Sequence, residues 1–283
     1  MDYERQTLLS LAERKAELHE SWSSKKPFRY LVIEDFLPTE FAEEILAAYP
    51  RPGTPEWDNT TYIHQRNKLT QTHGFAEPIA RFFHLTAAPE FRDLVGEITG
   101  IHDLIDDPEL VGGGLHQILR GGFLDVHVDY NFHPRTKLHR RLNLLLYLNK
   151  EWREEYEGYL ELWDLDADVQ LERIAPVFNR AVIFETNEVS YHGHPKPLNG
   201  PAEVTRKSLA IYYYTKEREE ATVAPEHNTL YKQTTGIKGY VKTVRSATEA
   251  AAERIGGQGV GRLSKDLARR LSRRLRGLPP ENK

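Results

Sequence analysis

Apolar positions change their spacing twice along the chain. Ahead of residue 100 they mostly follow the helical period. The opening MDYERQTLLSLAERKAELHESW is polar and amphipathic and predicts an N-terminal helix. FRYLVIEDF at 28–36 is rich in aromatic and β-branched residues and predicts a strand. Pro38 and Thr39 open a helix with Phe41, Ile45, Leu46 and Tyr49 on one face, stopped by Pro50 and Pro52. Two more helices are predicted over 78–86 and 89–99, the second carrying Phe91, Leu94, Val95 and Ile98 and closed by Gly100.

From Gly112 short apolar runs of strand length alternate with Gly, Pro and Asn turns. Strands are predicted over 114–120, 122–129, 140–148, 158–164, 172–177, 180–185, 189–194 and 206–215. A run of strands with no helix between them predicts a mainly β sandwich or barrel, with the upstream helices flanking one face. Beyond residue 240 the pattern changes again. In GRLSKDLARRLSRRLRGLPP, Leu263, Leu267, Leu271 and Leu275 recur every four residues among Arg and Lys, which predicts a basic amphipathic helix ended by Gly277 and two prolines. The chain therefore reads as one domain over 1–240, with helical support over 1–110 and a β core over 111–220, followed by a basic helical tail over 241–283.

Composition narrows the chemistry. Residues 242–283 hold eleven Lys or Arg against four Asp or Glu, a charge of +7, so the net charge of −4 hides a body carrying −11. The tail is thus a candidate contact for a partner protein or an anionic surface, and without interleaved aromatics it is a poor nucleic-acid binder. No continuous apolar stretch marks a leader or an integral membrane segment, so a cytoplasmic location is expected. Cysteine is absent, which removes disulfides, thiolate metal sites and thiol nucleophiles. Any metal must be held by His, Asp or Glu.

GGFLDVHVDYN supplies such donors: His127 and Asp129 stand two apart on a predicted strand, so both side chains leave the same face. A mononuclear iron(II) site takes two imidazoles and one carboxylate on one face and leaves the remaining positions open. SYHGHP offers the third ligand, His192 or His194, and His192 is preferred because His194 abuts Pro195 near the strand's end. A dicarboxylate co-substrate such as 2-oxoglutarate needs a cation for its distal end, and an arginine fork suits it. In TRKSLAIYYYT, Arg206 and Ser208 share one strand face, with Lys207 on the other.

Taken in order, the HxD at His127 and Asp129, RLNLLLYLN at 141–149, GYLELWD at 158–164, His192 and Arg206-x-Ser208 resemble the prolyl-4-hydroxylase-like branch of the iron(II)/2-oxoglutarate-dependent oxygenases. PFRYLVIEDFLPTEFAEEIL also resembles the opening strand and helix of such proteins, so the resemblance spans about 28–215. It implies a double-stranded β-helix, or jelly roll, with Fe(2+) bound by His127, Asp129 and His192 in its mouth. It also implies 2-oxoglutarate held by Arg206 and Ser208, and hydroxylation by O2 with succinate and CO2 as co-products. Where the family carries a tyrosine three residues before the first metal histidine this chain has Leu124, and Asn143 is a candidate for a replacement co-substrate contact. The retained Asp129 argues against halogenation, in which related enzymes give the carboxylate's place to chloride.

Blander readings stand beside these. His133 and His139 are expected in a solvated loop or a substrate lid rather than at the metal. Arg140 or Arg141 reaches the site mouth or forms a solvated pair. One of His116 and Gln117 faces the pocket. Tyr212, Tyr213 and Tyr214 are expected to pack the sheet, and Trp163 the core. The expected substrate is a small metabolite or amino-acid-like molecule; the alternatives are a peptidyl-prolyl substrate, a cupin-type enzyme without co-substrate, and a non-catalytic jelly-roll binding module.

Overall fold

The computed structural model describes residues 2–164 and 168–231. The basic tail expected over 241–283 lies outside the described residues. Helices α1 (Tyr3–Glu13), α2 (Lys15–Ser24), α3 (Thr39–Ala47), α4 (Glu77–Ala87) and α5 (Pro89–Thr99) occupy the front of the chain, with the single N-terminal helix of the sequence reading broken at Arg14. Pro89 opens α5, and Gly100 closes it with φ 72° while donating its N–H to Gly96 O. Among the described residues no helix is long and apolar enough to cross a membrane.

The strands are β1 (Tyr30–Ile33), β2 (Asp58–Tyr62), β3 (Gln65–Gln71), β4 (Gly114–Val128), β5 (His139–Tyr147), β6 (Leu160–Asp164), β7 (Val169–Ile174), β8 (Arg180–Glu185), β9 (Tyr191–His194), β10 (Arg206–Thr215) and β11 (Leu230–Tyr231). They pair antiparallel in the order β1-β8-β5-β10-β4-β9-β6-β7, with β3 and β11 also on β4 and β2 on β3. This is a jelly roll in which β4 belongs to both layers. Its first half pairs with β10 and its second half with β9. The two predicted strands 114–120 and 122–129 are therefore one strand, bent at Gly121 (φ 75°) and Gly122. A Cβ on Gly122 would sit 2.5 Å from Ile118 Cγ2 and 2.7 Å from Leu119 O, so the bend excludes any side chain there.

β5 explains why its sequence is apolar almost without a break. Leu142, Leu144 and Leu146 point into the core shared with α1–α5, while Leu145 and Tyr147 point between the two layers of the roll, with Leu160, Leu162, Val182 and Phe184. A strand buried on both faces loses the alternation that would otherwise betray it. Each such leucine contributes roughly 1.5–3 kcal/mol by leaving water. The β2–β3 hairpin falls in the front third read as helical, and β7 begins three residues ahead of its predicted start.

Gly122→Ala is expected to lower the unfolding free energy by roughly 1–3 kcal/mol, an overpacking cost, measured by urea denaturation. A wild-type curve would show that β4 is not bent as described.

Candidate active site

The bend in β4, the end of β9 and the inner face of β10 enclose a cavity of about 350 Å³. At one wall the Nε2 of His127 lies 3.5 Å from Asp129 Oδ1, and the Nε2 of His192 lies 3.4 Å from Asp129 Oδ2. All three side chains are buried, with donor atoms within 4.8 Å of one another. The antiparallel pairing of β4 with β9 sets His127 opposite His192. The strands approach closely because position 193 is glycine: a Cβ there would lie 2.8 Å from Asp125 O.

The ring orientations are fixed from behind. His127 Nδ1 lies 2.8 Å from Asp125 O, and His192 Nδ1 lies 2.9 Å from Ser190 O. Each Nδ1 must carry the proton to donate to a carbonyl, so in the neutral ring each Nε2 presents a lone pair toward the carboxylate. Two lone pairs and an anion converging within 3.5 Å repel one another unless a cation lies between them. The donor set, two neutral imidazoles and one carboxylate with an open side toward the cavity, fits a mononuclear iron(II) site. Burial pushes the His192 imidazole down to about 4, against the pull of Asp129, which keeps the ring neutral.

Burial by itself would raise the Asp129 carboxyl, but Arg140, His192 and His127 outweigh it and hold the group well below the usual carboxylate range. Arg140 Nη2 lies 2.9 Å from Asp129 Oδ2, and Asn143 Nδ2 donates to the same oxygen at 2.7 Å. Asn143 Oδ1 accepts from Arg140 Nε and Nη2, closing the triangle. The guanidinium is sandwiched between Tyr212, 3.6 Å to the ring centre, and Tyr130, 4.5 Å. Asn143, a candidate co-substrate contact in the sequence, thus bonds both Asp129 and Arg140.

Arg206 lies on the same cavity, buried, its Nε donating to Gly158 O at 2.6 Å and its Nη2 to the Tyr147 hydroxyl at 3.1 Å. Ser208 lines the cavity and stands directly opposite Tyr147 in the β10–β5 register, while Lys207 on the other face bonds Thr205. His116 and His194 line it too, and His116 Nε2 and His194 Nδ1 have no partner among the described residues. Burial, with Arg206 and Lys68 nearby, pushes both rings well down, so they are neutral. This end of the cavity thus offers the Arg206 guanidinium, backed by the Tyr147 hydroxyl, and the Ser208 hydroxyl beside two neutral imidazoles, a set that fits a carboxylate.

His194 is turned to that end and is not in the His127, Asp129, His192 group. His116, not Gln117, faces the cavity; Gln117 bonds Thr205. Tyr213 packs the core and bonds Thr86 O, whereas Tyr212 lines the cavity. Trp163 is half-buried and donates to Glu161. His133 is buried rather than solvated, against the loop reading. It forms a second group of metal-type donors with Asp107 and Glu109, but its Nδ1 accepts from the N–H groups of Arg135 and Thr136 and its Nε2 faces Asp107 at 3.4 Å. With both ring nitrogens committed it holds a loop, not an ion.

Tyr147, Lys68, Tyr62 and Tyr231 were not anticipated. Tyr231, on β11, stacks on His64 at 3.9 Å, and His64 pairs with Asp125 at 2.9 Å, so the chain beyond β10 returns to clamp the strand that carries His127. Tyr147 had a signal: it continues the alternation Asn143, Leu145, Tyr147 on one face of β5.

Residues 113–214 match the sequence model of the 2OG-Fe(II) oxygenase superfamily, a stretch that contains every group just described at the two ends of the cavity. This part of the chain is similar to the 2OG-Fe(II) oxygenase domains. The superfamily takes its name from iron(II) and 2-oxoglutarate, the two occupants the donor sets fit. Over 79 residues the chain is 33% identical to prolyl 3-hydroxylase OGFOD1 of Mus musculus, covering 26% of this chain but only 14% of that protein's length. Among solved structures, the oxygenase fold resembles a prolyl hydroxylase from Trichoplax adhaerens bound to a hypoxia inducible factor peptide fragment (TM-score 0.54, 16% identity, 74% of this chain and 92% of that one). It also resembles a Pseudomonas putida prolyl-4-hydroxylase (TM-score 0.50, 21% identity, 70% and 98%).

Asn143→Leu is expected to strip a donor from buried Asp129 and an acceptor from Arg140, lowering stability by roughly 2–4 kcal/mol in urea denaturation. A change below about 0.5 kcal/mol would mean that the triangle does not carry the carboxylate.

Proposed function

We propose that the chain is an iron(II)- and 2-oxoglutarate-dependent hydroxylase in which His127, Asp129 and His192 hold the metal and Arg206, Tyr147 and Ser208 hold the distal carboxylate of 2-oxoglutarate. The observation that carries this reading is the pair of imidazoles turned lone-pair-first onto one carboxylate, with a buried arginine in the same cavity. When bound, iron(II) and 2-oxoglutarate supply the oxidising chemistry with O2, giving succinate and CO2. The protein's own share is to keep Asp129 ionised, hold both rings in the ligating tautomer and orient the co-substrate. It also walls the reacting carbon with Leu124, Leu145, Leu160 and Phe184, which exclude water. Asp129 occupies the third ligand position, which favours hydroxylation over halogenation.

For the substrate, the relatives move the reading. A small metabolite was the first expectation; relatives named for prolyl hydroxylation favour a prolyl residue in a peptide or protein. An amino-acid-like small molecule stays as the second reading, since a cavity of about 350 Å³ suits a group of residue size. A silent binding module would have no need of the intact donor set.

The reading is tested by anaerobic titration and by succinate formation with prolyl peptides. His127→Ala and Asp129→Ala are expected to abolish iron(II)-dependent succinate release. Arg206→Met is expected to keep iron(II) binding but to weaken 2-oxoglutarate by roughly 10- to 100-fold, the range for losing a hydrogen bond to a charged group. Unchanged 2-oxoglutarate affinity in Arg206→Met would sink the assignment.

A further inference from the structure

The cavity carries more positive charge than the proposed metal and co-substrate account for. Its lining holds three cations, Lys68, Arg140 and Arg206, against one carboxylate, Asp129. The charge of an iron(II) ion and that of 2-oxoglutarate dianion cancel, so loading leaves the same excess of two. Arg140 is spent on Asp129, Asn143 and two tyrosine faces, and Arg206 is aimed at the co-substrate end. Lys68 is the cation left over: no described residue forms a hydrogen bond or ion pair with its ammonium.

Its position is set by the sheet. Lys68 on β3 stands opposite Ile118 on β4, and Ile118 stands opposite Arg206 on β10, so all three project from the same face. With strands about 4.8 Å apart, the Lys68 and Arg206 Cα atoms are roughly 10 Å apart. Tyr147, the hydroxyl partner of Arg206, lies on β5, the far side of β10 from Lys68. Lys68 and Thr70 alternate along β3, Thr72 follows just past its end, and all three line the cavity, so they form a strip of donors two strands away from the co-substrate anchor. Tyr62 and Tyr231, their hydroxyls hydrogen-bonded to each other, line the same cavity. Loss of hydration pushes the Lys68 ammonium down to about 8, with Asp129 pulling it up and Arg206 and Arg140 pushing it further down, which leaves it a cation at neutral pH. A dehydrated cation without a counter-ion is unfavourable until an anion arrives.

We propose that Lys68, backed by Thr70, binds a carboxylate carried by the substrate close to the residue that is oxidised, so that the substrate is an acidic peptide or an amino-acid-like acid. The proposal rests on the hydroxylase reading above. Lys68 lies outside the segment 113–214 that matches the superfamily, on β3 beside β4, which fits a part in selecting the substrate rather than in the shared chemistry.

The test uses the full chain, anaerobic, with iron(II) and 2-oxoglutarate. Matched probes differ only in charge: N-acetyl-L-proline against its amide, and N-acetyl prolyl dipeptide amides carrying Glu against the same peptides carrying Gln. Binding is read from the change in the visible absorbance band of the iron(II)·2-oxoglutarate complex. At least one carboxylate probe is expected to bind tenfold or more tightly than its amide partner. Lys68→Met is expected to bring that pair within twofold, and Lys68→Glu to reverse it, while 2-oxoglutarate half-saturation in Lys68→Met stays within threefold of wild type. Equal affinity across every pair, including binding by none, overturns the proposal. So does a tenfold loss of 2-oxoglutarate affinity in Lys68→Met, which would assign the lysine to the co-substrate. Failure of the wild type to develop the absorbance band with iron(II) and 2-oxoglutarate would instead overturn the hydroxylase reading, and the two failures are thereby told apart.

Discussion

The site depends on keeping one carboxylate ionised where little water reaches it. Asp129 is buried, and burial alone would protonate it. Arg140 supplies the opposing charge and Asn143 the second hydrogen bond, so that one oxygen is held by two donors while the other faces His127. The arginine is in turn immobilised between two tyrosine faces and an amide oxygen. A buried ion pair of this kind is weak evidence of stability, because dehydration of both ions offsets their attraction. Its value here is positional: it leaves the carboxylate one orientation, the one in which both imidazole lone pairs can meet a common ion.

Around that pair the cavity separates its charges by strand. The proposed metal donors sit where β4 and β9 meet, the buried arginine on β10 toward β5, and the lysine on β3. Four histidines line the space, and those whose shifts are resolved are held neutral by burial and neighbouring cations. Neutral imidazoles can ligate a metal or donate a hydrogen bond without adding charge, so the cavity's positive excess stays with its lysine and arginines. The return of β11 onto β4 braces this arrangement from outside through Tyr231 and His64, and ties the orientation of the His127 strand to a segment beyond the superfamily match.

Most of the roll was legible because its strands are short, apolar and separated by turn residues. The β2–β3 hairpin was not: QRNKLTQ is polar, and what covers its inner face is the cavity rather than a hydrophobic core. A strand that borders a polar pocket carries no apolar alternation to detect. Which of Arg140 and Arg141 reaches the site was left open for a different reason. Parity along β5 places it with Leu142, on the core side, but a register shift opposite Tyr213 and Tyr214 makes Arg141 the extra residue and turns Arg140 into the pocket beside Tyr214's side of β10.

The order of chemical groups along the chain, and the two-residue spacing that puts His127 beside Asp129 and Arg206 beside Ser208, were determined by the sequence alone, since alternation on a strand is a local property of the backbone. Which of His192 and His194 groups with the first pair, that Asn143 bonds Asp129 and Arg140, and that Lys68 shares a face with Arg206 two strands away were decided only by the tertiary structure. Those outcomes depend on strand register, on a bulge and on a glycine that lets two strands close, and each is set by contacts between segments far apart in sequence.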